Sequence, residues 1–205
     1  KLLHEVAPVL PETANRFASS QIRNIGTLGG NICNASPAGD MILPLLVLDA
    51  EVELASWKNG MVTRSLPLAG FFTGPGRSVK QANELLTEIS FARPEAGFAA
   101  HFAKSGPRPA LEIATVSAAF GAILRDGKLS KVRIALGAVG PTPLRAKRTE
   151  AFLEGRRLDP RVMEEAAVMA ADEASPIDDI RASAWYRKHL ISVFIRRLLE
   201  NDSQG

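Results

Sequence analysis

The amino-acid sequence predicts an α+β fold, and three observations carry that expectation. Apolar residues at three- and four-residue spacing mark helices near both ends of the chain. Between them, strand-like stretches flank two hairpin signals, Asn59-Gly60 and Asp126-Gly127. The pattern also breaks at Arg93-Pro94-Glu95, which places a domain boundary there and divides the chain into residues 1–95 and 96–205.

The elements follow in order. Leu2, Leu3, Val6, Val9 and Leu10 predict a helix over residues 2–15, interrupted by Pro8 and Pro11. Residues 21–40, QIRNIGTLGGNICNASPAGD, hold four glycines and three asparagines and read as a polar loop. Ser36 and Pro37 then supply an N-cap and a first-turn proline for a helix through MILPLLVLDA, which is apolar on nearly every side and so must be buried. Pro44 predicts a kink there and leaves the Asp40 carbonyl without its helical partner.

EVELASW and MVTRSLPL predict strands, FFTGPGRSV a glycine- and proline-rich loop, and LLTEISFA a further strand. In the second part, EIATVSAAFGAILRDGKLSKVRIALGAVG predicts two long strands, one face packed on helices and the other on the first part. Asp159-Pro160 opens a helix to about residue 174, and Leu190, Ile191, Phe194, Ile195 and Leu198 stripe the last one.

Composition narrows the function. The charge of +3 arises from 25 basic and 22 acidic residues mixed along the chain, without the basic stripe that follows a nucleic-acid backbone. No apolar run approaches the ~20 residues that span a bilayer, and the expected location is the cytoplasm. The single cysteine, Cys33, excludes an internal disulfide and a four-cysteine cluster within this chain, and it reads as a small buried apolar side chain. His4 and His189 read as helix-surface residues and His101 as a strand residue, without metal spacing. Lys104 and Arg108 read as loop residues between strands, Asp178-Asp179 as a solvated turn before a helix, and Trp57 with Phe71 and Trp185 with Tyr186 as packing pairs. A chain beginning at Lys1 is expected of a fragment or a cleaved subunit.

The chemistry concentrates in GTLGGN. Glycine permits positive φ and close backbone approach, so Gly26, Gly29 and Gly30 can turn N–H groups toward an anion, with Thr27 and Asn31 adding polar side chains and Arg23 charge. A helix starting at Ser36 would aim its positive end at the same place. Glycine-rich loops are more often tight turns than phosphate cradles, and the segment matches neither the dinucleotide fingerprint nor the P-loop pattern.

The longer string SSQIRNIGTLGGNICNASPAGDMILPLLVLDAEVEL resembles the second phosphate-contacting loop and following helix in the FAD-binding subunits of the xanthine dehydrogenase family, which includes carbon monoxide dehydrogenase and related molybdenum hydroxylases. ELLTEI, FAKSGPRPALEIATVSAAF, RIALGAVGPTPLRA and DDIRASAWYRKHL continue the match in order over nearly the whole chain. The resemblance implies a PCMH-type FAD-binding α/β subdomain over 1–95, then a C-terminal domain of antiparallel sheet packed with helices over 96–205. It implies that Thr27, Leu28, Gly29, Gly30 and Asn31 meet the FAD phosphates and ribityl chain, that Asp40 hydrogen-bonds the cofactor, and that Leu86, Lys104 and Phe17 contact it. No catalytic or metal-binding residue is implied.

In that family another glycine-rich FAD loop lies upstream of the segment matching Lys1. The expectation is therefore an N-terminally incomplete FAD site in a truncated subunit that alone holds FAD weakly or not at all. The implied role is electron transfer from iron–sulfur clusters through FAD to NAD or another acceptor, with the clusters and the molybdenum cofactor on partner subunits. Flavin subunits of carbon monoxide, aldehyde or aromatic hydroxylases satisfy the same pattern, as does a non-catalytic assembly module that has lost FAD.

Overall fold

The computed structural model describes residues 2–106 and 113–203. The chain opens on helices α1 (Leu2–Val6), α2 (Val9–Arg16), α3 (Ser20–Ile25), α4 (Leu28–Cys33) and α5 (Ile42–Val47). Strands β1 (Glu51–Trp57), β2 (Met61–Pro67), β3 (Phe72–Gly74), β4 (Arg77–Ser78) and β5 (Glu84–Ser90) follow. Next come β6 (Phe98–Ser105), β7 (Val116–Arg125), β8 (Lys128–Gly137) and β9 (Leu144–Arg145), then α6 (Lys147–Leu153), α7 (Pro160–Glu173) and α8 (Ala184–Ser203). The arrangement is the α+β fold that the sequence predicts.

Both hairpin signals hold. Asn59 and Gly60, at φ 56° and 134°, turn β1 into β2, which pair from Glu51 with Pro67 to Trp57 with Met61. Asp126 and Gly127, at φ 52° and 72°, join β7 to β8 through the left-handed geometry of a type I′ turn. The first hairpin belongs to a three-stranded sheet ordered β2-β1-β5, the second to a four-stranded antiparallel sheet ordered β6-β7-β8-β9.

Side chains alternate across a strand, so the four-stranded sheet has two apolar faces. On one, Val116, Ala118, Phe120, Ile134 and Leu136 pack on Ala166 and Ala170 of α7 and Ile191, Ile195 and Leu199 of α8. On the other, Ala119 and Ala135 meet α5, whose six residues are all buried, together with Val52, Leu54, Leu68 and Phe71. The Asp159 carboxylate accepts from Val162 N at 2.8 Å and caps α7 as expected.

Several expectations are corrected. The first helix is two, parted at Pro8, while Pro11 sits in the first turn of α2, where its missing N–H is harmless. Leu2 and Leu3 are exposed, whereas Val9 and Leu10 are buried as expected, with Ala7 beside them. Residues 20–33 fold into two short helices rather than a loop. α5 starts at Ile42 and not after Ser36, whose Oγ accepts instead from Ala38 N. Pro44 therefore lies in the first turn of α5, where no intrahelical bond is lost and no kink is needed.

FFTGPGRSV contains the small β3–β4 hairpin, turned at Gly76 with φ 66°. Lys104 stands within β6 rather than in a loop, opposite Ser117 of β7; Arg108 lies outside the described residues. Trp57 is exposed and Phe71 packs edge-on against Phe72, while Trp185 stacks on His189 at 5.7 Å. Among the described residues, no helix is long and apolar enough to cross a membrane.

Candidate functional site

The glycine-rich segment is built as a helix start. Thr27 has extended backbone and its Oγ1 accepts from Gly30 N at 2.9 Å, the geometry of an N-cap. None of Gly26, Gly29, Gly30 and Gly39 has positive φ, so the expected left-handed cradle is absent. Their small size serves packing instead. A Cβ on Gly30 would stand 2.9 Å from Thr27 Oγ1, and one on Gly39 2.6 Å from Ile42 Cδ1. Gly29 faces Leu86 of β5, which joins two of the predicted residues across the α4–β5 contact.

Asp40 and Lys104 form the electrostatic centre. Lys104 Nζ donates to Asp40 Oδ2 at 2.6 Å, with the side chains only 5% and 7% exposed for Asp40 and Lys104 respectively. A pair so desolvated is held because removing either partner strands a buried charge. The pair also ties the turn before α5 to β6.

Beside it lies a cavity of about 310 Å³ whose walls include Phe17, Asn31 and Asp40, with Asn34, Ser36 and Ile113. Three of the nine predicted residues thus share one space. Thr27, Leu28, Gly29 and Gly30 stand outside its walls on the first turn of α4, Leu86 lies beneath Gly29, and Lys104 is reached through Asp40. Asn34 and Ser36 were missed, because a polar residue in a turn carries no mark of what it faces. Arg23 Nη1 donates to Phe17 O at 2.7 Å and Ala18 O at 3.2 Å, bracing a turn in which Ala18 has φ 46° and keeping the guanidinium charge beside Phe17.

The site suits a polar organic cofactor. Asn31 Oδ1 is buried and finds no donor among the described residues, although Asn31 lines the cavity. Such an acceptor is costly unless something donates to it, and the hydroxyl groups of a ribityl chain or ribose are donors of the right kind. Burial pushes the Cys33 thiol up, away from nucleophilic use. Among the described residues no cluster of His, Cys, Asp and Glu could hold a metal ion.

The chain is a flavoprotein subunit by the families that its two parts match. Residues 1–94 match the FAD binding domain in molybdopterin dehydrogenase, and residues 101–201 match the CO dehydrogenase flavoprotein C-terminal domain. The chain belongs to the FAD subunits of the molybdenum hydroxylase family, with the xanthine and carbon monoxide dehydrogenases among its relatives.

Relatives include the xanthine dehydrogenase FAD-binding subunit of Escherichia coli, 33% identical over 195 residues that span 94% of this chain and 65% of the relative. The carbon monoxide dehydrogenase medium chain of Afipia carboxidovorans is 31% identical over 193 residues, covering 94% of this chain and 66% of the relative. The structure of reconstituted CO dehydrogenase from Oligotropha carboxidovorans superposes with a TM-score of 0.93 at 30% identity, over all of this chain and 70% of that one. The chain thus spans about two thirds of the length of the curated relatives it matches.

Proposed function

We propose that this chain is the flavin station of a xanthine dehydrogenase-like molybdenum hydroxylase. Bound FAD would supply the redox chemistry, receiving electrons from iron–sulfur clusters and passing them to NAD or another acceptor. The protein's part is to hold and orient the cofactor: Asn31 and the first turn of α4 offer polar groups to its phosphate and ribityl portion, Phe17 an apolar wall, and Asp40 a fixed carboxylate. Lys104, donating to Asp40 Oδ2, keeps that carboxylate aimed. The observation that carries this reading is the buried Asn31 Oδ1, which finds no donor among the described residues, on a residue that lines the same cavity as Phe17 and Asp40.

The partners in this reading are an iron–sulfur subunit and a molybdenum subunit, in keeping with relatives that are medium chains of larger enzymes. One cysteine cannot ligate a cluster of its own. A cytoplasmic location is part of the same reading, and the boundary near residue 95 divides the FAD-binding part from the C-terminal part.

The test is the visible spectrum of the intact subunit, purified in its complex and desalted, followed by anaerobic titration with NADH. A retained flavin band bleached by NADH supports both the cofactor and the acceptor. A retained band untouched by NADH removes NAD, and no flavin band at all removes the flavin role and favours an assembly module.

A further inference from the structure

Arg187 of α8 is almost fully buried, with 4% of its side chain exposed, yet it lies far along the chain from every residue of the flavin site. Its Nη1 donates to Thr115 O at 2.6 Å and to Ala138 O at 2.8 Å, and its Nη2 to Asp179 Oδ1 at 2.7 Å. Asp179 is itself fixed by Arg181 N at 2.8 Å and Ala182 N at 3.1 Å, and these bonds with the Arg187 guanidinium hold its carboxyl down at about 2.

The two carbonyls that Arg187 holds lead to the two halves of the buried ion pair. Thr115 N donates to Ser105 O at 2.8 Å, next to Lys104. Ala138 N donates to Pro37 O at 2.8 Å, in the turn that Gly39 N to Ser36 O and Ile42 N to Gly39 O carry forward through Asp40 into α5. Ala138 has φ 62°, a conformation an L-residue keeps only when its surroundings fix it. One guanidinium thus restrains both backbones whose separation sets the Asp40–Lys104 contact.

We infer that Arg187, held by Asp179, is a positioning residue for the flavin site, which aligns Asp40 with Lys104 from the opposite side of the sheet. This rests on the flavin reading above and adds to it a residue that touches neither the cavity of Phe17, Asn31 and Asp40 nor the ion pair itself.

The experiment compares the intact subunit with its Arg187→Lys, Asp179→Asn and Leu198→Ala variants. Leu198 is buried on the helical face and its apolar side chain makes no hydrogen bond, so its variant reports general destabilisation alone. The readouts are FAD affinity by fluorescence titration, the visible circular dichroism of the bound flavin, and thermal unfolding without FAD. Arg187→Lys keeps a charge but cannot serve three acceptors in a plane, and it should raise the FAD Kd about tenfold and alter the flavin dichroism.

Asp179→Asn leaves both backbone bonds in place and should move the same readouts in the same direction by less. Leu198→Ala should lower the unfolding temperature while leaving Kd and dichroism as in wild type. The inference is overturned if the Arg187 and Asp179 variants bind FAD with wild-type affinity and dichroism, or if Leu198→Ala shifts both as far. A wild-type subunit that binds no FAD overturns the flavin reading and this inference together.

Discussion

Gly121 of β7 lies directly beneath Val47 of α5: a Cβ at Gly121 would stand 2.6 Å from Val47 Cγ1, and equally 2.6 Å from Phe98 Cζ. The helix that follows Asp40 rests on the sheet at a spot where only a hydrogen fits. Gly121→Ala should therefore destabilise the fold by ~1–3 kcal/mol through overpacking, measured by urea unfolding. Gly70→Ala, where a Cβ meets nothing within 4 Å, should leave the midpoint nearly unchanged.

Breaking the buried ion pair should cost more than overpacking. Asp40→Asn or Lys104→Met leaves one desolvated charge without its partner, and each should lose ~3–5 kcal/mol of stability. The double variant should be less destabilised than the sum of the two, and a double-mutant cycle checks this. Strict additivity would mean that the contact contributes nothing of its own.

Acid should weaken the three-stranded sheet and its flanks. Arg64 donates to both carboxylate oxygens of Glu84, at 2.7 and 2.8 Å, and with Gln81 N brings Glu84 down to about 2 from 4.5. A carboxylate depressed on folding adds stability that is complete above its unfolded pKa and is lost as pH falls through its folded one. The Glu84 contribution is thus present above pH 4.5 and disappears on descent towards 2. Glu84→Gln should flatten the stability profile in that window, read from denaturation midpoints across pH.

The start of α4 separates folding from binding. Thr27→Ala removes the cap on Gly30 N and should cost ~1 kcal/mol. Gly29→Ala meets only Leu86 Cδ2, at an ordinary 3.6 Å, and should fold as wild type. If a cofactor approaches this turn, Gly29→Ala lowers FAD affinity while thermal unfolding of the apoprotein stays put. Unchanged affinity would take Gly29 out of the cofactor's path.

Legibility in the sequence followed the range of the interactions. Asn59-Gly60 and Asp126-Gly127 fix backbone sign locally, so both hairpins and their strands could be read directly. Asp159-Pro160 did the same for α7. Residues 20–33 read as a loop because glycines suit one by propensity, but α4 among them is held helical by a Thr27 cap and by packing against Leu86, neither visible in spacing. Lys104 was misplaced for a similar reason: a lysine in a strand is unexpected until Asp40, 64 residues away in sequence, is seen to hold it. Arg187 gave no local signal, since its acceptors are backbone carbonyls on distant strands.

The sheet of β6 to β9 bears an apolar face on each side, with Ala118 and Ala119, neighbours in β7, entering different cores. Neither core can come apart without baring the rear of the wall on which the other is built. Heating should therefore melt the flavin-binding and C-terminal parts as one cooperative unit, seen as a single calorimetric transition whose van't Hoff and calorimetric enthalpies agree. Damage to either core would then lower the one melting temperature that both share, while the cofactor contacts of the folded subunit stay as they are.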